Sequence, residues 1–148
     1  LPFWSRRAAD RLRESRAHSC LLSRKSEELR LMIQELVTKV FATRNAVHTG
    51  HWKTKSYAEH MALGDFYDGL VDKIDAIVEM YQGAFGLIDS IDSEPVVGKD
   101  IVRHLTDEAK WINDNRETIS GDWCAIENAL DDLVGLYLTT LYKLKNLS

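Results

Sequence analysis

Three histidines and four acids sit close together in the middle of this chain. His48 and His51 are three residues apart, His60 follows nine residues later, and then come Asp68, Asp72, Asp75 and Glu79. At about 100° per residue, Asp72, Asp75 and Glu79 fall about 40°, −20° and 20° from Asp68, one narrow helical face. A solvated face would read the same way. However, like charges one turn apart repel, and only Lys73 lies nearby to soften them. Aligned carboxylates next to imidazoles offer the oxygen and nitrogen donors that first-row divalent metals take.

These residues need helices to position them, and the apolar period is helical nearly throughout. Helix A is expected from Ser26, an N-cap before Glu27 and Glu28, to about Trp52, with Leu29, Met32, Ile33, Leu36, Val40 and Val47 on its stripe. Gly50 is expected to weaken its last turn. Ser56 caps helix B, with Glu59 at capping-box spacing. Helix B runs from Tyr57 to about Leu87, with Leu63, Phe66, Leu70, Ile74, Ile77, Tyr81, Phe85 and Ile88 inward. The acidic row points away from that stripe, so a metal using it would lie between subunits rather than inside the fold. Helix C starts near Pro95 and carries Val97, Ile101, Leu105, Ile112 and Ile119. After a turn at residues 120–122, Asp122 caps helix D, which carries Ile126, Leu130, Leu133, Tyr137, Leu141 and Leu144. The fold class expected is all-α, a four-helix bundle.

Composition supports one globular domain: 148 residues, 45% apolar and 28% charged. No apolar run is long enough for a membrane span. No charged and apolar leader pattern opens the chain, whose first residue is Leu. Cys20 and Cys124 are too few for a disulfide framework or a zinc site and lack the neighbours of a nucleophile. A reducing cytoplasm is the expected compartment. Charge is uneven. Residues 1–30 carry eight Arg/Lys against four acids, a net of +4, which leaves −8 for the rest. Residues 1–25 therefore read as a basic arm, helical or disordered, and residues 26–148 as the bundle. Arg6, Arg7, Arg11, Arg13 and Arg16 could meet nucleic-acid phosphates.

The run His51-Trp52, then Phe66-Tyr67-Asp68-Gly69-Leu70-Val71-Asp72, then Ile77-Val78-Glu79 resembles the Dps-like branch of the ferritin superfamily over residues 26–90. That resemblance implies a ferritin-like four-helix bundle assembling into a hollow homo-oligomer, a dodecamer in the family, that oxidises and stores iron. It implies an iron site between two subunits, with His51, Asp68 and Glu79 as ligands, and DNA binding through a basic tail. His48, His60, Asp72 and Asp75 are further ligand candidates. The chain departs from the pattern at Gly64, where the family has a histidine, and at Gly83, where it has a glutamate. The competing expectation is a ferritin-like assembly module with a degenerate site and no activity.

The Glu-x-x-His pairs of an intra-bundle di-iron site are absent from the sequence. Glu108 falls on the core face of helix C and reads as a hydrogen-bonding or subunit-contact group. His104 reads as ordinary, His18 has no assigned role, and Trp52, Trp111 and Trp123 read as packing near helix ends.

Overall fold

The computed structural model describes residues 3–91 and 100–147, with side chains from residue 10 onward. Among them are five helices: α1 (Phe3–Lys53), α2 (Tyr57–Phe85), α3 (Ile101–Asp114), α4 (Arg116–Ser120) and α5 (Cys124–Asn146). There is no strand among the described residues. The protein is all-α, as its periodicity predicts. No helix among these residues is long and apolar enough to cross a membrane.

The first helix differs from expectation. Ser26 caps nothing; its hydroxyl donates to the Ser23 carbonyl at 3.0 Å inside a helix that runs unbroken from Phe3. No proline and no glycine occur between Phe3 and Thr49. The segment is rich in Arg, Leu, Glu, Lys and Ala, good helix formers that outweigh the capping signal. What changes near Ser26 is burial. Residues 10–28 are all exposed, and Leu29 is the first buried residue of α1.

A three-residue link reverses the chain into α2. Ser56 caps α2 as expected, its hydroxyl accepting from the Glu59 amide at 3.3 Å. Thr54 steadies the turn, its hydroxyl donating to the Glu59 carboxylate and accepting from the Ser56 amide at 3.2 Å. Gly86 ends α2 with φ 98°, a conformation only glycine takes easily, and its amide closes on Gln82 at 3.0 Å. Residues beyond it fold back on α1: Arg30 pairs with Asp89 at 2.9 Å and Gln34 donates to the Ser90 carbonyl at 2.6 Å.

Pro95 and Val97, expected in helix C, lie outside the described residues. Asp100 caps α3, accepting from the Arg103 amide at 3.1 Å. Expected helix C is in fact two helices that meet at a turn at Asn115, whose side-chain amide donates to the Trp111 carbonyl at 2.8 Å beside its own backbone amide at 3.1 Å. The turn at residues 120–122 occurs as expected, but Trp123, not Asp122, takes the cap position of α5. Gly121 has φ 61°, and a Cβ there would lie 2.9 Å from the Phe85 ring, so the tight α4–α5 turn requires glycine. Gly50 also has a packing reason, since a Cβ would meet the Ile101 side chain at 2.6 Å. Its missing side chain admits the start of α3.

The core joins the buried stripes of α1, α2, α3 and α5, with Ile119 of α4. α2 packs against both α1 and α5, and α3 against α5 and α1. Of the expected inward residues, Met32, Ile88, Ile101 and Leu144 are partly buried against the core, and Phe85 is exposed. Phe66 and Tyr137, among the largest buried side chains, meet edge to face at 4.8 Å.

Candidate functional site

The α1–α2 turn brings two of the three histidines into direct contact. His51 and His60 stack at 3.6 Å with 23° between their planes. Each ring bonds to the other's backbone: Nδ1 of His51 reaches the His60 carbonyl at 2.7 Å, and Nδ1 of His60 reaches the His51 carbonyl at 3.0 Å. A carbonyl only accepts, so both Nδ1 atoms carry hydrogen. In the neutral rings, Nε2 of both is then a lone-pair donor. Metal-binding histidines are oriented by this same kind of Nδ1–H to carbonyl bond.

Gly64 makes this arrangement fit. A Cβ there would stand 3.2 Å from Cε1 and 3.4 Å from Nδ1 of His51. The imidazole of His51 occupies the space that a side chain at position 64 would need.

His48 does not join the stacked pair. Its ring lies on Tyr67 at 4.0 Å and 20°, with Trp52 tilted against it at 4.5 Å. Tyr67 meets His51 edge-on at 5.3 Å, which links the two groups. Arg44 lies over the other part of this cluster, its guanidinium 5.9 Å from the Tyr67 centroid. Trp52 is exposed at the end of α1.

Asp68, Asp72, Asp75 and Glu79 are all exposed on α2, facing away from its buried stripe. Among the described residues none of the four has an ion-pair partner, whereas Asp65 on the same helix pairs with Lys143 at 3.0 Å. No three His, Cys, Asp or Glu among the described residues gather so as to hold a metal ion. The described residues thus supply an imidazole pair and a carboxylate row, but not a closed ligand set. Gly83 is exposed on α2, with nothing within 4 Å of where its Cβ would be.

Of the arm residues, Arg11, Arg13 and Arg16 are exposed on α1. Arg6 and Arg7 fall within the same helix, their side chains outside the described set.

A second polar cluster lies inside the core. Glu108 is buried and accepts from Tyr137 at 2.6 Å on one oxygen and from Thr43 at 2.7 Å on the other. The same second oxygen is 3.0 Å from Nε2 of His104, which also lies 2.7 Å from the Thr43 hydroxyl. Three helices, α1, α3 and α5, are tied through one carboxylate. The expectation that Glu108 is a hydrogen-bonding group holds. His104 is not ordinary, and Tyr137 is more than an apolar stripe residue. The available signal was the His104–Glu108 spacing of four, which places both on one side of α3. Burial pushes the Tyr137 phenol well above its ordinary 10.0, and the charge of Glu108 adds to that rise.

Comparison with known proteins gives the chain a family. Over 113 residues it is 28% identical to the uncharacterized 14.6 kDa protein of the mobD-ri intergenic region in Enterobacteria phage T4, covering 74% of this chain and 85% of the phage protein. No solved structure matches. A family model described as a family of unknown function, DUF5856, matches residues 51–144. That span opens on His51 and takes in His60, the acidic row of α2 and the Glu108–Tyr137 pair. It covers well over half of the chain, and the protein therefore belongs to the DUF5856 family.

Proposed function

We propose that this protein is a ferritin-like helical bundle that assembles with copies of itself and oxidises and stores ferrous iron at a site completed between two copies. The observation that carries the reading is the reciprocal His51–His60 pair, whose carbonyl bonds hold both rings with Nε2 as the lone-pair atom. Iron is the substrate. Imidazole nitrogen from one copy and carboxylate oxygen from Asp68, Glu79, Asp72 or Asp75 of another make a donor set suited to Fe(II). Dioxygen or peroxide takes the electron. His48, held on Tyr67, stands beside the site rather than in the stacked pair.

The test is Fe(II) oxidation, under air and with peroxide, on the size-fractionated assembly. Saturable oxidation above the protein-free rate is expected. His51→Ala and Glu79→Ala are each expected to lower it at least about tenfold while the assembly persists. A stable monomer in solution would overturn the reading, because the two halves of the site would never meet.

The second reading is an assembly module without activity. It is favoured by the lack of a three-ligand group among the described residues and by glycine at positions 64 and 83. Oxidation no faster than buffer, with assembly intact, would select it.

The basic arm adds a proposed partner. Its exposed arginines suit DNA phosphates without sequence preference, against the repulsion of an acidic body. Retardation of duplex DNA is expected to fall steeply between 50 and 200 mM salt, by about 10-fold or more, and to vanish when residues 1–20 are removed. Equal retardation by the shortened chain would exclude the arm.

A further inference from the structure

Arg44 has an unusual environment for an arginine near a surface. Its Nε is shielded from solvent and has no hydrogen-bond acceptor. Its Nη1 reaches only the neighbouring Asn45 side chain, at 3.2 Å. No carboxylate of the described residues pairs with it, although the body is strongly acidic. The guanidinium thus has no carboxylate partner among the described residues.

The face around it is built for contact. Phe41, Arg44, His48 and Trp52 fall at helical spacing on one side of α1, with Phe41 45% and Trp52 68% exposed. Tyr67 and Val71 continue the face onto α2, Val71 being 37% exposed. Aromatic and arginine side chains together are what the centres of protein interfaces favour. Beside them runs the row of four unpaired carboxylates.

We propose that this face binds the same face of a second copy, with Arg44 gripping Asp72 of that copy. The inference rests on the reading above that a second copy completes the histidine site, and it fixes the register of the pairing. A two-fold axis across the helices sets the two α2 helices antiparallel. Because α1 and α2 of one chain reverse at a three-residue link, the second copy's α2 then runs parallel to α1. Arg44 and His51 are seven residues apart on α1, and Asp72 and Glu79 are seven apart on α2. Seven helical residues span about 10.5 Å. Placing Glu79 of the second copy at the His51–His60 pair thus brings its Asp72 beside Arg44. The contact gives the Arg44 guanidinium a carboxylate partner, relieves repulsion within the row, and occurs twice by symmetry.

The occupant is a second copy because both charges are present on one surface, each unpaired, at equal spacing. A free anion would satisfy Arg44 but leave the carboxylate row and the exposed aromatics unmatched.

The experiment is sedimentation velocity on the full chain at low salt, with Fe(II) binding measured separately on the same samples. Arg44→Asp is expected to weaken self-association about 30-fold or more. The exchange variant, Arg44→Asp with Asp72→Arg, is expected to recover it. Arg44→Lys, which keeps charge but loses the fork, serves if Arg44→Asp does not fold, and is expected to weaken association less. Unchanged sedimentation of Arg44→Asp overturns the proposal, whatever iron does. Failure of the exchange variant to recover association also overturns it. Arg44-dependent association without iron binding keeps this contact and removes the iron reading instead.

Discussion

Glu108→Ala is expected to destabilise the fold by about 3–5 kcal/mol. The substitution removes an acceptor shared by three donors. It leaves the Tyr137 hydroxyl, the Thr43 hydroxyl and the His104 ring facing a small apolar cavity among buried side chains. Each abandoned donor costs about 1–3 kcal/mol unless water enters. Tyr137→Phe is gentler. It keeps the ring packed edge-on against Phe66 and removes one bond, for about 1.5–3 kcal/mol. Urea denaturation at fixed protein concentration reads both as shifts in midpoint with unchanged slope. A loss under about 1 kcal/mol for Glu108→Ala would mean that the three helices do not depend on this carboxylate.

The same cluster sets a limit at high pH. The folded phenol of Tyr137 holds its proton well above 10.0, the ordinary value, because burial and the neighbouring carboxylate oppose phenolate. Its contribution to stability is therefore complete below pH 10. As pH rises further, the unfolded chain gives up this proton while the folded chain keeps it, and stability falls. Wild-type protein is expected to lose more stability between pH 10 and 11.5 than Tyr137→Phe does. Equal losses would show that this phenol is not the group responsible.

The long periodic stretches were legible because burial on a helix leaves a regular trace. The stripes of α2 and α5 could be read residue by residue from Leu63 to Tyr81 and from Ile126 to Leu141. Boundaries were harder, for local reasons. Ser26-Glu27-Glu28 has the chemistry of a helix start, but good helix formers on both sides carry α1 through it. Asn115 is an unremarkable residue in a periodic stretch, and nothing in its spacing announces the turn between α3 and α4. The acidic row was legible as a face, since spacing alone fixes direction on a helix. The histidine pair was not, because the stack of His51 on His60 depends on how a three-residue turn reverses the chain. The core network was hidden in the same way. Thr43 and Tyr137 become partners of Glu108 only when α1 and α5 close on α3.

Gly64 shows how a sequence comparison and a packing argument can point in opposite directions. By the Dps-like pattern that the sequence resembles, this would be the position of a histidine ligand, and restoring it would look like an improvement. In the structure, His51 fills the space above Gly64, with ring atoms at 3.2 and 3.4 Å from where a Cβ would stand. Gly64→His is therefore expected to push His51 off His60, break both Nδ1–H to carbonyl bonds, and cost about 1–3 kcal/mol through overpacking. Under the proposed function it should also weaken metal binding about 10- to 100-fold rather than strengthen it, since oriented imidazoles lose their support. Gly64→Ala makes the same contact with less bulk and is expected to fall between. Titration with Fe(II) in the absence of oxygen, alongside denaturation of the same variants, separates the two effects. A Gly64→His protein that binds iron more tightly than wild type would show that the proposed site follows the Dps-like pattern, and that the His51–His60 stack is only packing. Weaker binding together with lower stability would identify glycine at position 64 as the residue that lets this chain build its imidazole pair at the turn, in place of a histidine one turn further along α2.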